Sequence, residues 1–256
     1  TKDDIPPMVF FFFLGFTDPL RAEAKISIEK CKKAGIKVIM ITGDHLQTGI
    51  AIAKELNILQ DDSEAISGSA LNKLTDRELF EKIESYSVYA RVNPEDKVRI
   101  VEAWQKKGHV VAMTGDGVND SPALAKADIG CAMGITGTDV AKEAADVILV
   151  DDNYATIIVA VELGRNIYDN IKKVVQYLLS SNTGEVFTIF TASLLAVLFP
   201  GFNFGVPLFA MHLLWVNLIT DSLPAFALGI VDIDDDLMGI PPRNKNESFF
   251  ANRLGR

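Results

Sequence analysis

Two segments of this chain end a hydrophobic run in the same three residues, Thr42-Gly43-Asp44 and Thr114-Gly115-Asp116, and the second continues as Gly117-Val118-Asn119-Asp120. Glycine lets a backbone approach a phosphate and present its amide hydrogens, and the neighbouring threonine adds a hydroxyl donor. Asp116 and Asp120 are separated by a glycine-containing turn that can aim two carboxylates and the Asn119 amide at one point. Hard oxygen donors of this kind suit magnesium. Lys97, three residues into a helix that begins at Pro94, can reach the same rim and neutralise phosphoryl charge. Singly, each feature is bland, because Thr-Gly-Asp is a common strand-end turn and an early helical lysine is commonly solvated. In this order they predict magnesium-dependent phosphoryl transfer.

A second set of oxygen donors stands in apolar surroundings. Asn182 and Glu185 are three apart and share a helical face, as do Asn217, Thr220 and Asp221 at i, i+3 and i+4. A carboxylate at mid-bilayer costs roughly 2.5–3.5 kcal/mol on insertion scales, so it faces a partner, a cavity or an ion. Amides and hydroxyls alone would serve as glue between helices. Two acids fit that role poorly, since facing carboxylates repel unless protonated or bridged by a cation. The pattern predicts a cation site.

The elements that must position these residues follow from hydropathy. Up to about Asn153 the chain mixes charged and apolar residues, whereas 174–199 and 207–231 are almost continuously apolar, each long enough to span a bilayer. In the first part, strands are expected at Met8–Phe16, Ile36–Ile41, Ser87–Arg91, His109–Met113, Asp128–Met133 and Val147–Val150. Helices are expected after Asp18-Pro19 up to Gly35, at Leu46–Leu56, Thr75–Ile83, from Pro94 to Gly108 and at Asp139–Ala145. This alternation predicts an α/β fold with a parallel sheet covered on both faces and ligands beyond the carboxyl ends of the strands. From Tyr154 one long helix is expected to run without a Pro break into the first span, and the second span returns the chain. Arg165, Lys172 and Lys173 precede this hairpin and Arg243 and Lys245 follow it, which puts the first part in the cytosol.

The formal net charge of −9 and the lack of a basic stripe argue against a nucleic-acid partner. Cys31 and Cys131 are far apart with no metal-ligand spacing and read as reduced packing residues. The opening at Thr1 and the end at Arg256 suggest a piece of a longer polypeptide.

Met40-Ile-Thr-Gly-Asp44, Ala90-Arg-Val-Asn-Pro94 with Lys97, and Met113-Thr-Gly-Asp-Gly-Val-Asn-Asp-Ser-Pro-Ala-Leu124 resemble the phosphorylation-domain motifs of P-type ATPases, within the haloacid-dehalogenase superfamily. Ser181-Asn-Thr-Gly-Glu185 and Leu214-Trp-Val-Asn-Leu-Ile-Thr-Asp221 are similar to the fifth and sixth membrane helices of the sarcoplasmic-reticulum-type calcium-pump branch. The resemblance implies a haloacid-dehalogenase-like (Rossmann-like) fold followed by a two-helix transmembrane hairpin. Its expected divisions are 1–153, part of a cytosolic phosphorylation domain; 154–231, a stalk helix and hairpin; and 232–256, a cytosolic loop in which Pro241-Pro242-Arg243 ties the hairpin to that domain. It also implies ATP as substrate, Mg2+ held by Asp116 and Asp120 with Asn119 in support, and phosphoryl oxygens held by Thr42, Gly43 and Lys97 beside Asp44. Ca2+ would be the transported ion, with Asn182, Glu185, Asn217, Thr220 and Asp221 as ligands. The partners implied are the remainder of the pump (actuator domain, nucleotide-binding domain, other membrane helices) and the lipid bilayer.

The family's nucleophile is an aspartate in an Asp-Lys-Thr-Gly-Thr motif, which this sequence lacks and the family places upstream, so the covalent step would fall outside this chain. Ser222 stands where that branch commonly has glycine. A sodium or manganese pump, a haloacid-dehalogenase-type phosphatase and a non-catalytic membrane interaction protein are the competing readings.

Overall fold

The computed structural model describes residues 10–12, 19–201, 208–231, 237–244 and 247. The strand expected at Met8–Phe16 lies largely outside them, and residues 10–12 form no strand. Asp18, most of the turn between the apolar spans and most of the tail after Val231 also lie outside.

The first part alternates as anticipated. It runs α1 (Ala22–Lys33), β1 (Met40–Thr42), α2 (Leu46–Glu55), β2 (Ala65–Ser67), α3 (Gly68–Leu71), α4 (Asp76–Lys82), β3 (Val88–Ala90) and α5 (Pro94–Lys106), then β4 (Ala112–Gly115), α6 (Ser121–Lys126), β5 (Ile129–Met133), α7 (Asp139–Ala144) and β6 (Val147–Leu149). All described pairings are parallel, in two three-stranded sheets ordered β1-β3-β2 and β4-β5-β6. The parallel strands expected from the alternation are thus present, and among the described residues they lie in two ladders. β1 and β4 each end a ladder, and no described strand joins them. The strand expected from Ile36 is also shortened to Met40–Thr42, because only those residues have β3 partners.

Period-two alternation explains how the first sheet is covered. In β3, Val88 packs with Ala53 of α2, while its neighbour Tyr89 packs with Leu79 of α4 and with Ile100 and Trp104 of α5. Helices therefore cover both faces. Met113 and Ala132 of the second sheet pack with Leu124, Ala141 and Val101. Ile41 and Val111 touch both clusters, so α5 and these two residues knit the sheets into one core.

From Tyr154 one helix, α8 (Tyr154–Leu198, 45 residues), runs without interruption. The return is α9 (Ala210–Trp215), a π-helical segment (Val216–Thr220) and α10 (Ser222–Gly229), so the second span is broken at its middle. Tyr154–Leu198 and Ala210–Gly229 are each long and apolar enough to cross a membrane.

The base of α8 is tied to the first part. Arg165 donates from Nη1 to the carbonyls of Leu237 (2.6 Å) and Ile240 (2.7 Å), and from Nη2 to that of Ala34 at the end of α1 (3.1 Å). Met238 is buried with Cys31, Ala34 and Ile158. Gly35 has φ +70°, and a Cβ there would lie 2.7 Å from Pro242 Cδ. One turn beyond Arg165, Asn170 donates to the carbonyls of Val231 (2.7 Å) and Gly229 (3.4 Å).

Candidate active and cation sites

The phosphoryl rim begins with α5. Pro94 stands in its first turn, where a missing N–H costs nothing, and Asp96, 3% exposed, accepts from the Asn93 amide at 3.0 Å. This start fixes Lys97, whose ammonium pairs with Asp120 Oδ1, both side chains being largely buried. Asp120 Oδ2 accepts from the Gly117 amide at 3.3 Å. A Cβ on Gly115 would lie 2.4 Å from Asp120 Cβ, so the close turn from β4 to α6 requires glycine there.

Asp116 is exposed, and among the described residues its carboxylate has no partner; its backbone carbonyl accepts from the Thr138 amide at 2.8 Å. Asn119 is exposed beside it. At the end of β1 the Thr42 hydroxyl accepts from the Asp44 amide and lies 3.1 Å from Asp44 Oδ2. A Cβ on Gly43 would meet nothing among the described residues within 4 Å, so the space above this turn is open to them. Thus Lys97, Asp120 and Gly117 are brought into direct contact, while Asp116, Asn119 and the Thr42–Asp44 turn remain open. No described group of three His, Cys, Asp or Glu residues forms a metal cluster. The donor set nevertheless suits magnesium, which is held by one or two carboxylates and completes its octahedron with water and phosphate oxygens.

In the hairpin, Asn217 Nδ2 donates to Glu185 Oε2 at 3.3 Å, and Glu185 Oε1 is buried with no partner among the described residues. Asp221 is 2% exposed and its Oδ2 likewise lacks a partner among the described residues. Two acids with an orphan oxygen each form an arrangement that calls for a cation or protons. Thr220 is exposed beside Asp221. Asn182 stands apart, its amide nitrogen spent on the Leu178 carbonyl of its own helix at 2.9 Å.

Residues 8–128 match the family model for haloacid dehalogenase-like hydrolases, and residues 205–256 match that of the cation-transporting ATPase C-terminus. The chain is 54% identical over 244 residues, 95% of its length, to calcium-transporting ATPase 1 of Bacillus cereus, and 52% identical over 241 residues to a calcium-transporting ATPase of Bacillus subtilis. It belongs to the P-type cation-transporting ATPases. A third relative, 47% identical over 256 residues and covering 95% of the chain, is the P-type sodium-transporting ATPase4 of Toxoplasma gondii. This P-type ATPase chain spans about a quarter of the Bacillus relatives' length, 27% and 26%, and 19% of the Toxoplasma relative's.

Sequence reasoning passed over two site residues of this P-type ATPase chain. The Tyr177 hydroxyl lies 3.5 Å from Asp221 Oδ1 and donates to the Thr220 carbonyl at 3.4 Å. The Ser222 hydroxyl donates to the Asn217 carbonyl at 3.0 Å. Nothing in the sequence marks Tyr177, which stands eight residues before Glu185 and about 80° round the helix from it. Ser222 carried only the absence of a glycine.

Proposed function

We propose that this chain is part of an ATP-driven calcium pump that cycles through an aspartyl-phosphate whose nucleophile lies outside the chain. The observation that carries this reading is the pair of orphan carboxylate oxygens, on Glu185 and Asp221, in a hairpin whose first helix is continuous with the part bearing the phosphoryl rim. Two ends of one rigid element bias each other when each has two discrete states.

In this reading Asp116 and Asp120 hold Mg2+ with Asn119 in support, and the ion supplies charge neutralisation at the transferring phosphoryl group. Lys97 meets phosphoryl charge while orienting Asp120. Thr42 and Gly43 present a hydroxyl and an approachable backbone to phosphoryl oxygens, and Asp44 holds that turn through its own amide and carboxylate. β1 and β4, both ending in Thr-Gly-Asp, have their outer edges unpaired by any described strand. That is where a strand carrying the nucleophile would fit, bringing its aspartate between the two turns.

Asn182, Glu185, Asn217, Thr220 and Asp221 are proposed as oxygen ligands of the transported ion, in a multi-pass membrane protein whose strand-rich part, 1–153, is cytosolic and whose segments 154–231 and 232–256 form hairpin and loop. Its partners are the actuator and nucleotide-binding domains, the other membrane helices and the bilayer. Glu185→Gln in the complete pump is expected to abolish calcium-dependent phosphorylation by ATP and to spare phosphorylation by inorganic phosphate. Loss of both, or of neither, would refute the coupling. A sodium pump is the second reading, favoured by the Toxoplasma relative. Phosphorylation from ATP that requires sodium and ignores calcium would establish it.

A further inference from the structure

The break in the second apolar helix opens two backbone carbonyls. The Asp221 amide bonds to Val216 O at 2.8 Å, five residues back, so Asn217 O loses its ordinary helical donor. Pro224 has no N–H, so Thr220 O loses its own. Each open carbonyl is met by a hydroxyl: Ser222 Oγ on Asn217 O at 3.0 Å, and Tyr177 Oη, from the facing helix, on Thr220 O at 3.4 Å. The same Tyr177 oxygen stands 3.5 Å from Asp221 Oδ1. One hydroxyl has one hydrogen, so Tyr177 shares it between the carbonyl and the carboxylate. Asp221 Oδ2 is left with no partner among the described residues.

We propose that Tyr177 and Ser222 form a latch on the oxygens of the cation site, supplying hydrogen donors that compete with a bound ion. The inference rests on the cation-pump reading. A carbonyl or carboxylate oxygen that faces a donor hydrogen must give up that donor, or share it, when it turns to a cation. The latch therefore stabilises the empty state, and its free energy is subtracted from ion affinity. Tyr177 also joins the two helices through this contact, so its release couples ion arrival to a change in hairpin packing. Plain helix-helix glue behaves in the opposite way: removing it loosens the hairpin and weakens binding.

Equilibrium binding of radioactive calcium to membranes carrying the complete pump separates these. Tyr177→Phe is expected to lower the half-saturating calcium concentration by about threefold to tenfold, the size of one ordinary hydrogen bond, with the amount bound at saturation retained. Ser222→Ala is expected to shift it in the same direction by less. Unchanged or weaker affinity at full capacity in both variants overturns the latch and leaves the pump reading standing. If Tyr177→Phe loses binding capacity, Ser222→Ala, which removes one oxygen from an exposed side chain, decides alone. No calcium binding by the unaltered pump overturns both.

Discussion

Lys97 and Asp120 neutralise each other in a largely buried setting, and removing either member leaves the other charge uncompensated. Lys97→Met keeps the aliphatic stem and deletes the ammonium. It is expected to lower phosphoenzyme formation in the complete pump by about 10²-fold, the cost of one missing donor at a developing anion. Adding Asp120→Asn should recover stability in thermal unfolding without recovering phosphorylation, which separates the pair's packing role from its chemical one. Gly115→Ala drives a methyl into Asp120 and should raise the magnesium concentration needed for phosphorylation. Asp152 gives a pH signature. Its carboxylate accepts from the Ile135 amide (2.9 Å) and from the Thr136 hydroxyl and amide (2.7 Å each), and these bonds hold its pKa down to about 2. Because the folded value lies below the unfolded one, this stabilisation is complete above the ordinary aspartate pKa and is lost as pH falls towards 2. Asp152→Ala should lower the melting temperature at pH 7 and flatten its fall between pH 4 and pH 2, as thermal scans across that range would report.

The contact between α1, α8 and residues 237–242 depends on one guanidinium and one glycine. Arg165→Ala leaves the carbonyls of Ala34, Leu237 and Ile240 without their donor, and should destabilise the solubilised pump by about 2–3 kcal/mol in denaturant titrations. Gly35→Ala should act on the same contact twice, since φ is positive and Pro242 fills the space where the methyl would go. At this scale the sequence was legible wherever a repeat or a cap marked an element. Pro94, Gly108 and the unbroken helical pattern after Tyr154 gave α5 and α8 almost to the residue. β2 was missed because three residues, Ala65-Ile66-Ser67, are too few to carry a period. The order of strands within each ladder was not legible because strand order along a chain does not specify which strands are neighbours. Among site residues, the two Thr-Gly-Asp turns announced themselves by repetition, whereas Tyr177 read as one more aromatic in an apolar run. Its partner carbonyl is opened by a proline 47 residues away, a coincidence that only the folded hairpin reveals.

For the molecule as a whole, the proposed aspartyl-phosphate cycle needs the nucleophile of an Asp-Lys-Thr-Gly-Thr motif, which this sequence lacks. The purified chain incubated with terminally labelled ATP is expected to give no acid-stable label, and restoring the Asp-Lys-Thr-Gly-Thr strand together with the nucleotide-binding domain is expected to give it. What such a reconstruction inherits is the phase of α8. A helix turns about 100° and rises about 1.5 Å per residue, so its 45 residues span about 67 Å and fix the azimuth of Glu185 relative to Arg165 as teeth fix two gears on one shaft. One residue inserted between Asn170 and Tyr177 would swing the whole ligand face by about 100° while leaving both ends intact. Seven would bring it back to within about 20° but push it some 10 Å along the axis. Angular register, more than any single contact in the stalk, is therefore what this helix holds constant.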